Sequence, residues 1–184
     1  MRRIDLPLAG PCLLEPRVFE DERGFFFEAF NERTLGESGI AAHFVQENHS
    51  RSARGVLRGL HYQLPNPQGK LLRVLAGEIF DVVVDLRRAS PTCGRWHGLR
   101  LDPRARQMLW VPPGFAHGFL ALSDFAEVLY SITDFYVPAA ERTLAWNDPV
   151  LAIDWPLAAA GVTRPLLSNK DQQGMALASA PLFE

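Results

Sequence analysis

The segment Gly55-Val56-Leu57-Arg58-Gly59-Leu60-His61-Tyr62-Gln63 sets a guanidinium and an imidazole close together, with a glycine between them. An imidazole titrates near neutral pH and can carry a proton in catalysis. A guanidinium fork suits phosphate oxygens. On a regular strand, positions 58 and 61 differ in parity and face opposite sides. A bulge or bend at Gly59 would turn both toward one cleft. The plainer alternative is a strand with one exposed arginine and one core histidine, and spacing alone leaves both open. A second histidine, His117, follows a Pro-Pro-Gly turn in Val111-Pro112-Pro113-Gly114-Phe115-Ala116-His117-Gly118-Phe119. Two scattered histidines fall short of the three ligands usual for a catalytic metal. Lys70, Tyr130 and Asp171 each have an ordinary reading when taken alone: a solvated surface charge, a strand aromatic and a loop residue. His43, His49 and His97 receive no catalytic role, and His49 reads as a turn residue.

Elements that would position these residues are short and numerous. Fourteen glycines and fourteen prolines punctuate brief apolar runs, which is a pattern of strands and turns. Strands are expected at Gly24–Phe30, Phe44–Asn48, Val56–Gln63, Lys70–Leu75, Glu78–Leu86, Gly94–Leu101, Gln107–Val111, His117–Leu122 and Ala126–Thr133. Asn31–Ser38 reads as one short helix with Asn31 as its N-cap and Gly39 beyond its end. Many short strands with few helices predict a closed or sandwiched antiparallel fold. In Ile79–Leu86, Phe80, Val82, Val84 and Leu86 share one face while Asp81 and Asp85 lie on the other. That alternation predicts core on one side and a polar cavity or solvent on the other. Beyond Trp146 the turns Trp146-Asn147-Asp148-Pro149 and Asp154-Trp155-Pro156 predict a C-terminal wrap over the sheet, within a single domain spanning 1–184.

Composition narrows the function classes. At 184 residues, with 47% hydrophobic and 22% charged side chains, the chain can bury a core. Nineteen basic against twenty-one acidic residues give a net charge of -2. There is no basic excess of the kind a nucleic-acid binder shows. No window approaches the run of about 20 apolar residues that a membrane helix needs. Met1-Arg2-Arg3-Ile4-Asp5 is followed by no signal-type apolar stretch, so a cytoplasmic protein is expected. Cys12 and Cys93 lack Cys-x-x-Cys spacing and read as free thiols in a reducing compartment, with a disulfide between them as the alternative.

The Pro-x-Gly-x-x-His pattern ending at His117 resembles the second motif of the cupins, a β-barrel superfamily. In metal-dependent cupins that histidine is a ligand, and a first motif supplies His-x-His and a glutamate. Here that stretch reads His61-Tyr62-Gln63, and Leu64 to Leu72 contains no glutamate. The resemblance is thus to the fold without the metal site, and a carboxylate such as Asp81 would be needed to complete a triad. It narrows further to the dTDP-4-dehydrorhamnose 3,5-epimerase family. The matching stretches are Asp21-Glu22-Arg23-Gly24-Phe25-Phe26-Phe27-Glu28, Gln46-Glu47-Asn48-His49-Ser50, Gly55 to Gln63 and Gly69-Lys70-Leu71-Leu72-Arg73-Val74. Further matches are Asp81 to Arg87, Ser90-Pro91-Thr92, Gly114 to Phe119, Asp134-Phe135-Tyr136, Trp146 to Pro149 and Leu167-Ser168-Asn169-Lys170-Asp171. Together they cover roughly residues 15 to 171. Glu47 stands where the family pattern has aspartate, and Phe135 precedes Tyr136 where many relatives have two tyrosines.

The resemblance implies a mainly β, cupin-like jelly-roll barrel with a few short helices, acting as a homodimer without metal or organic cofactor. Its substrate would be a dTDP-4-keto-6-deoxyhexose, inverted at the two carbons beside the ketone. By carry-over, His61 would be the base, Asp171 its partner, Lys70 the group near the sugar O4, and Tyr130 the acid on the far face. Arg23, Arg58 and Lys170 would contribute to diphosphate and sugar recognition. Glu28, Gln46, Asn48 and Glu141 would contact nucleotide or sugar. His117 would be the second site histidine, with Asp81 behind it, and Tyr136 would stack on the thymine ring. Tyr136 lies six residues from Tyr130, so an uninterrupted strand would put both on one face. The family's N-terminal elements cross to the partner, which leaves open which subunit's site Arg23 and Glu28 serve. Three other readings remain open: an epimerase acting on one carbon of a related nucleotide sugar, a non-catalytic cupin that only binds one, and a metal-dependent cupin oxygenase.

Overall fold

A computed structural model describes all residues, 1–184. Thirteen strands form two facing antiparallel sheets and a separate ribbon. The strands are β1 (Arg2–Asp5), β2 (Cys12–Glu15), β3 (Val18–Asp21), β4 (Gly24–Phe27), β5 (Gln46–Ala53), β6 (Leu57–Gln63) and β7 (Lys70–Ala76). They continue with β8 (Ile79–Asp85), β9 (Trp96–Leu101), β10 (Met108–Val111), β11 (Phe115–Ala121), β12 (Phe125–Ile132) and β13 (Glu141–Thr143). The six-stranded sheet runs β1-β2-β10-β7-β12-β5 and the five-stranded sheet β13-β6-β11-β8-β9. The two sheets make a jelly-roll sandwich of the cupin type, and the expected barrel is not closed.

Leu72, Val74, Val83, Leu109, Phe119 and Val128 come from both sheets and fill the space between them. The outer face of the five-stranded sheet, carrying Leu57, Leu60, Val82, Val84 and Leu120, lies under Leu151, Trp155 and Ala160 of the C-terminal wrap. The outer face of the six-stranded sheet packs Leu14, Leu71 and Met108 against Leu35 and Ile40. Leu35 belongs to helix α1 (Glu32–Glu37), whose Asn31 N-cap accepts from Arg33 N and Thr34 N as its sequence predicts.

Both faces of β8 are therefore buried. The expectation of core on one side and cavity or solvent on the other is corrected to two apolar layers with Asp81 and Asp85 set into them. Asp85 survives there because Arg87, Ser90 and Thr92 all donate to its carboxylate. The expected strand at 24–30 stops at Phe27 and pairs only with β3. The expected strand at 44–48 begins at Gln46 and extends to Ala53 along β12. β12 ends at Ile132, so Tyr130 and Tyr136 do not share a strand.

Candidate active site

A cavity of about 340 Å³ opens between the sheets. The five-stranded sheet contributes Arg58 and His61 from β6 and His117 from β11. His117 lies directly opposite His61, but Phe119 pairs with Arg58, so β6 holds one residue more than β11 over this stretch. That bulge at Gly59 turns both Arg58 and His61 to the cavity, as one of the two sequence readings allowed. Gly59 has φ +134°, and a Cβ there would come within 2.6 Å of the Gly118 Cα. The two glycines let the strands approach closely enough to hold the bulge.

The facing sheet contributes Lys70 from β7, Tyr130 from β12, and Gln46, Asn48 and Ser50 from β5. Asn48 pairs with Tyr130 and Ser50 with Val128, so alternate residues of β5 point inward. His61 and Tyr130 thus approach the cavity from opposite sheets.

Asp171 arrives from the C-terminal wrap. Leu57 N donates to Leu166 O, and Met175 N donates to Thr143 O, so the wrap is stitched to β6 before and to β13 after helix α2 (Asn169–Gln172). Between these anchors Asp171 lies 2.5 Å from His61 Nε2, and Ser168 Oγ donates to its other oxygen at 2.7 Å. An ionised carboxylate only accepts, so Nε2 carries the hydrogen and Nδ1 is left as the ring's acceptor. Burial pushes the His61 pKa down, and the bond and charge of Asp171 recover only part of that loss. Burial alone would raise Asp171, but the bond and charge of His61, the Ser168 bond and the Lys170 charge together outweigh it and hold the carboxyl below the usual range.

Lys70 is buried and its Nζ donates to the His61 carbonyl at 3.2 Å. Burial brings its pKa down to about 8, against the pull of Asp81 and Glu141. Burial pushes the Tyr130 phenol up, keeping it protonated at neutral pH, while Arg58 moderates the rise. His117 Nε2 sits 2.9 Å from buried Asp81, which fixes its ring. Each site histidine is thus paired with its own carboxylate, and no three histidine, cysteine or carboxylate groups converge on one point.

At the mouth, Glu141 accepts from the Tyr136 hydroxyl at 2.8 Å and from Lys170 Nζ at 2.7 Å. Gln46 Oε1 accepts from Tyr136 N at 3.2 Å. The sequence reading missed Gln63 and Gln68. Gln63 donates to Phe135 O at 3.1 Å and accepts from Val137 N at 2.8 Å, while Gln68 donates to Asp134 O at 3.0 Å. Together they pin the loop that carries Tyr136. Gln63 is two residues from His61 on one strand, which was the signal for it. Ser50, two residues from Asn48, was missed in the same way.

Arg23 and Glu28 do not line this cavity. Arg23 lies in the β3–β4 turn, highly exposed and paired with Asp21 at 2.5 Å. Glu28 accepts from Asn31 Nδ2 and Thr34 Oγ1 at the start of α1. The ribbon pairs with neither sheet, and neither residue reaches the cavity in this chain.

The family model described as dTDP-4-dehydrorhamnose 3,5-epimerase matches residues 5–179. A dTDP-4-dehydrorhamnose 3,5-epimerase of Pseudomonas aeruginosa is 56% identical over 184 residues, covering 100% of this chain and 99% of that protein. The crystal structure of the dTDP-6-deoxy-D-glucose-3,5-epimerase of Legionella pneumophila in complex with dTDP-4-keto-L-rhamnose is 46% identical, with a TM-score of 0.92 over 98% of this chain and 94% of that one. A 3'-monoepimerase from Streptomyces bikiniensis in complex with dTDP-quinovose is also similar, at 34% identity and a TM-score of 0.87 over 96% and 88% of the two chains.

Proposed function

The chain belongs to the dTDP-4-dehydrorhamnose 3,5-epimerase family and is an isomerase, and we propose that His61 and Tyr130 are the two groups that move its substrate's protons. The reaction inverts C3 and C5 of dTDP-4-dehydro-6-deoxy-D-glucose to give dTDP-4-dehydro-L-rhamnose. Inversion beside a ketone needs a base on one face, an acid on the other, and a group to hold the enolate between them. Neutral His61 takes the proton through Nδ1, and Asp171 steadies the imidazolium that forms. The Lys70 ammonium faces the oxygen of the 4-ketone and holds it as it becomes an oxyanion. Tyr130 returns a proton from the opposite face, and both groups then exchange with solvent. One observation carries this reading: a histidine backed by a buried carboxylate and a protonated phenol enter one cavity from facing sheets.

Tyr136 stacks on the thymine ring at the mouth. Arg58 and Lys170 hold diphosphate oxygens, and Gln46, Asn48, Glu141 and His117 complete the nucleotide and sugar contacts. Residues 1–184 act as one domain, and the protein works as a homodimer in the cytoplasm. Two unpaired cysteines accord with a reducing compartment. Phe25 and Phe26 on the ribbon are 60% and 70% exposed. They would be covered by a second subunit, to whose cavity the ribbon would bring Arg23 and Glu28.

Turnover of dTDP-4-keto-6-deoxyglucose in deuterated water tests the chemistry. The expected result is solvent deuterium at both C3 and C5. Label at C3 alone would place the enzyme with the monoepimerases. No label from folded protein would remove His61 and Tyr130 from their roles.

A further inference from the structure

The inner face of β5 presents Gln46, Asn48, Ser50 and Ser52 in sequence, every second residue of the strand. Three of the four have partners. Gln46 donates to Asn48 at 2.8 Å, and Ser52 accepts from Arg58 Nε at 2.9 Å. Ser50 Oγ is shielded from solvent and has no hydrogen-bond partner, the one buried side-chain nitrogen or oxygen in the chain of which this is true. A buried hydroxyl without a partner costs about 1–3 kcal/mol, so such groups are rare in folded proteins. Ser50 also lines the cavity.

Its place along the strand says what would satisfy it. Gln46 lies at the mouth, bonded to the backbone of Tyr136. Asn48 pairs with Tyr130, and Ser50 is one inward-facing step further from the mouth, opposite buried Val128. A nucleotide sugar with its base at Tyr136 and its reacting carbons between His61 and Tyr130 therefore brings hexose, not nucleoside, to this hydroxyl.

We propose that Ser50 is a substrate-binding residue whose hydroxyl turns from its shielded rotamer to hydrogen-bond an oxygen of the hexose, a bond completed only when the sugar is seated. The proposal rests on reading this cavity as the hexose site. It assigns Ser50 no proton transfer, only orientation of the ring between base and acid.

Ser50→Ala tests it, in an enzyme whose wild-type form has first been shown to turn over the nucleotide sugar. That control separates failure of this proposal from failure of the functional reading. The expected result has three parts. kcat/KM falls about 2- to 12-fold, the loss of one neutral hydrogen bond, mostly through KM. Affinity for dTDP, which lacks the hexose, changes less than about twofold. The ligand-free variant melts no lower than the wild type, because it has lost an unsatisfied group and no bond. An unchanged kcat/KM would overturn the proposal. A fall in melting temperature would show that the hydroxyl serves the fold, and an equal loss of dTDP affinity would move the contact to the diphosphate; either result overturns it as stated.

Discussion

In the proposed mechanism His61 is neutral to accept a proton, and Lys70 is charged to hold an oxyanion. These two requirements set opposite limits on pH. His61 has its pKa pushed below the ordinary imidazole value, so its basic form persists to lower pH and is lost only as pH falls through that depressed value. Lys70 carries its proton below about 8 and loses it as pH rises through that point. The pH profile of kcat/KM should therefore be a bell whose acid limb lies below about 6.5, the ordinary histidine value, and whose alkaline limb falls near 8. Lys70→Arg should remove the alkaline limb from whatever activity survives, since a guanidinium does not titrate there. A limb still at pH 8 in that variant would assign it to another group. His61→Asn should reduce turnover by about 10²–10⁴-fold without changing the melting profile much. Tyr130→Phe should slow proton return more than it raises KM, and an unchanged rate and product ratio would discharge Tyr130 as the acid. Part of this site was legible in the sequence: the Arg58-Gly59-Leu60-His61 spacing allowed the bulge that brings both side chains to one cavity. The Asp171 partnership was not legible from spacing. It spans more than a hundred residues of chain and depends on where the wrap is stitched, and only resemblance suggested it.

Elements decide how firmly the side chains are held. Gly59 and Gly118 stand back to back, and any Cβ on Gly59 meets backbone that cannot swing away. Gly59→Ala should cost about 2–4 kcal/mol through the combined clash and positive φ. A urea midpoint lowered in proportion would show it, and a midpoint within error of wild type would mean that β6 tolerates straightening. The loop carrying Tyr136 has a different support, since Gln63 bonds the backbone on both sides of Tyr136. Gln63→Leu should raise KM while leaving the acid and alkaline limbs of the pH profile in place. Alternation showed that β8 had two chemically different faces but not what would cover each. Val82 and Val84 are buried by a wrap that starts some sixty residues later, and a strand's own pattern carries no record of its cover. β3 was missed for a related reason: Val18-Phe19-Glu20-Asp21 has only β4 as a partner and lacks the apolar alternation of a strand packed on a core.

At the scale of the whole molecule, one chain holds the cavity but not every residue assigned to it. If Arg23 serves the partner's site, mixing Arg23→Ala subunits with His61→Asn subunits should restore activity. Each mixed dimer would contain one site with both groups intact, and random exchange would give about one quarter of the wild-type rate. Activity no higher than the two variants show separately would place Arg23 in its own subunit's site. Analytical ultracentrifugation of Phe25→Ser, Phe26→Ser should show dissociation to monomer if the ribbon is the contact. The stitching of the C-terminal wrap has a further consequence, for synthesis. Every strand of both sheets precedes residue 144, while Asp171 follows the last of them. During translation the N-terminal portion leaves the ribosome first and can begin to collapse around its core. A nascent chain could therefore hold the cavity in outline while His61 still lacks its carboxylate. Competence for catalysis would then come with the final stretch of polypeptide, and a product cut short before α2 would remain chemically silent even where its sheets had formed.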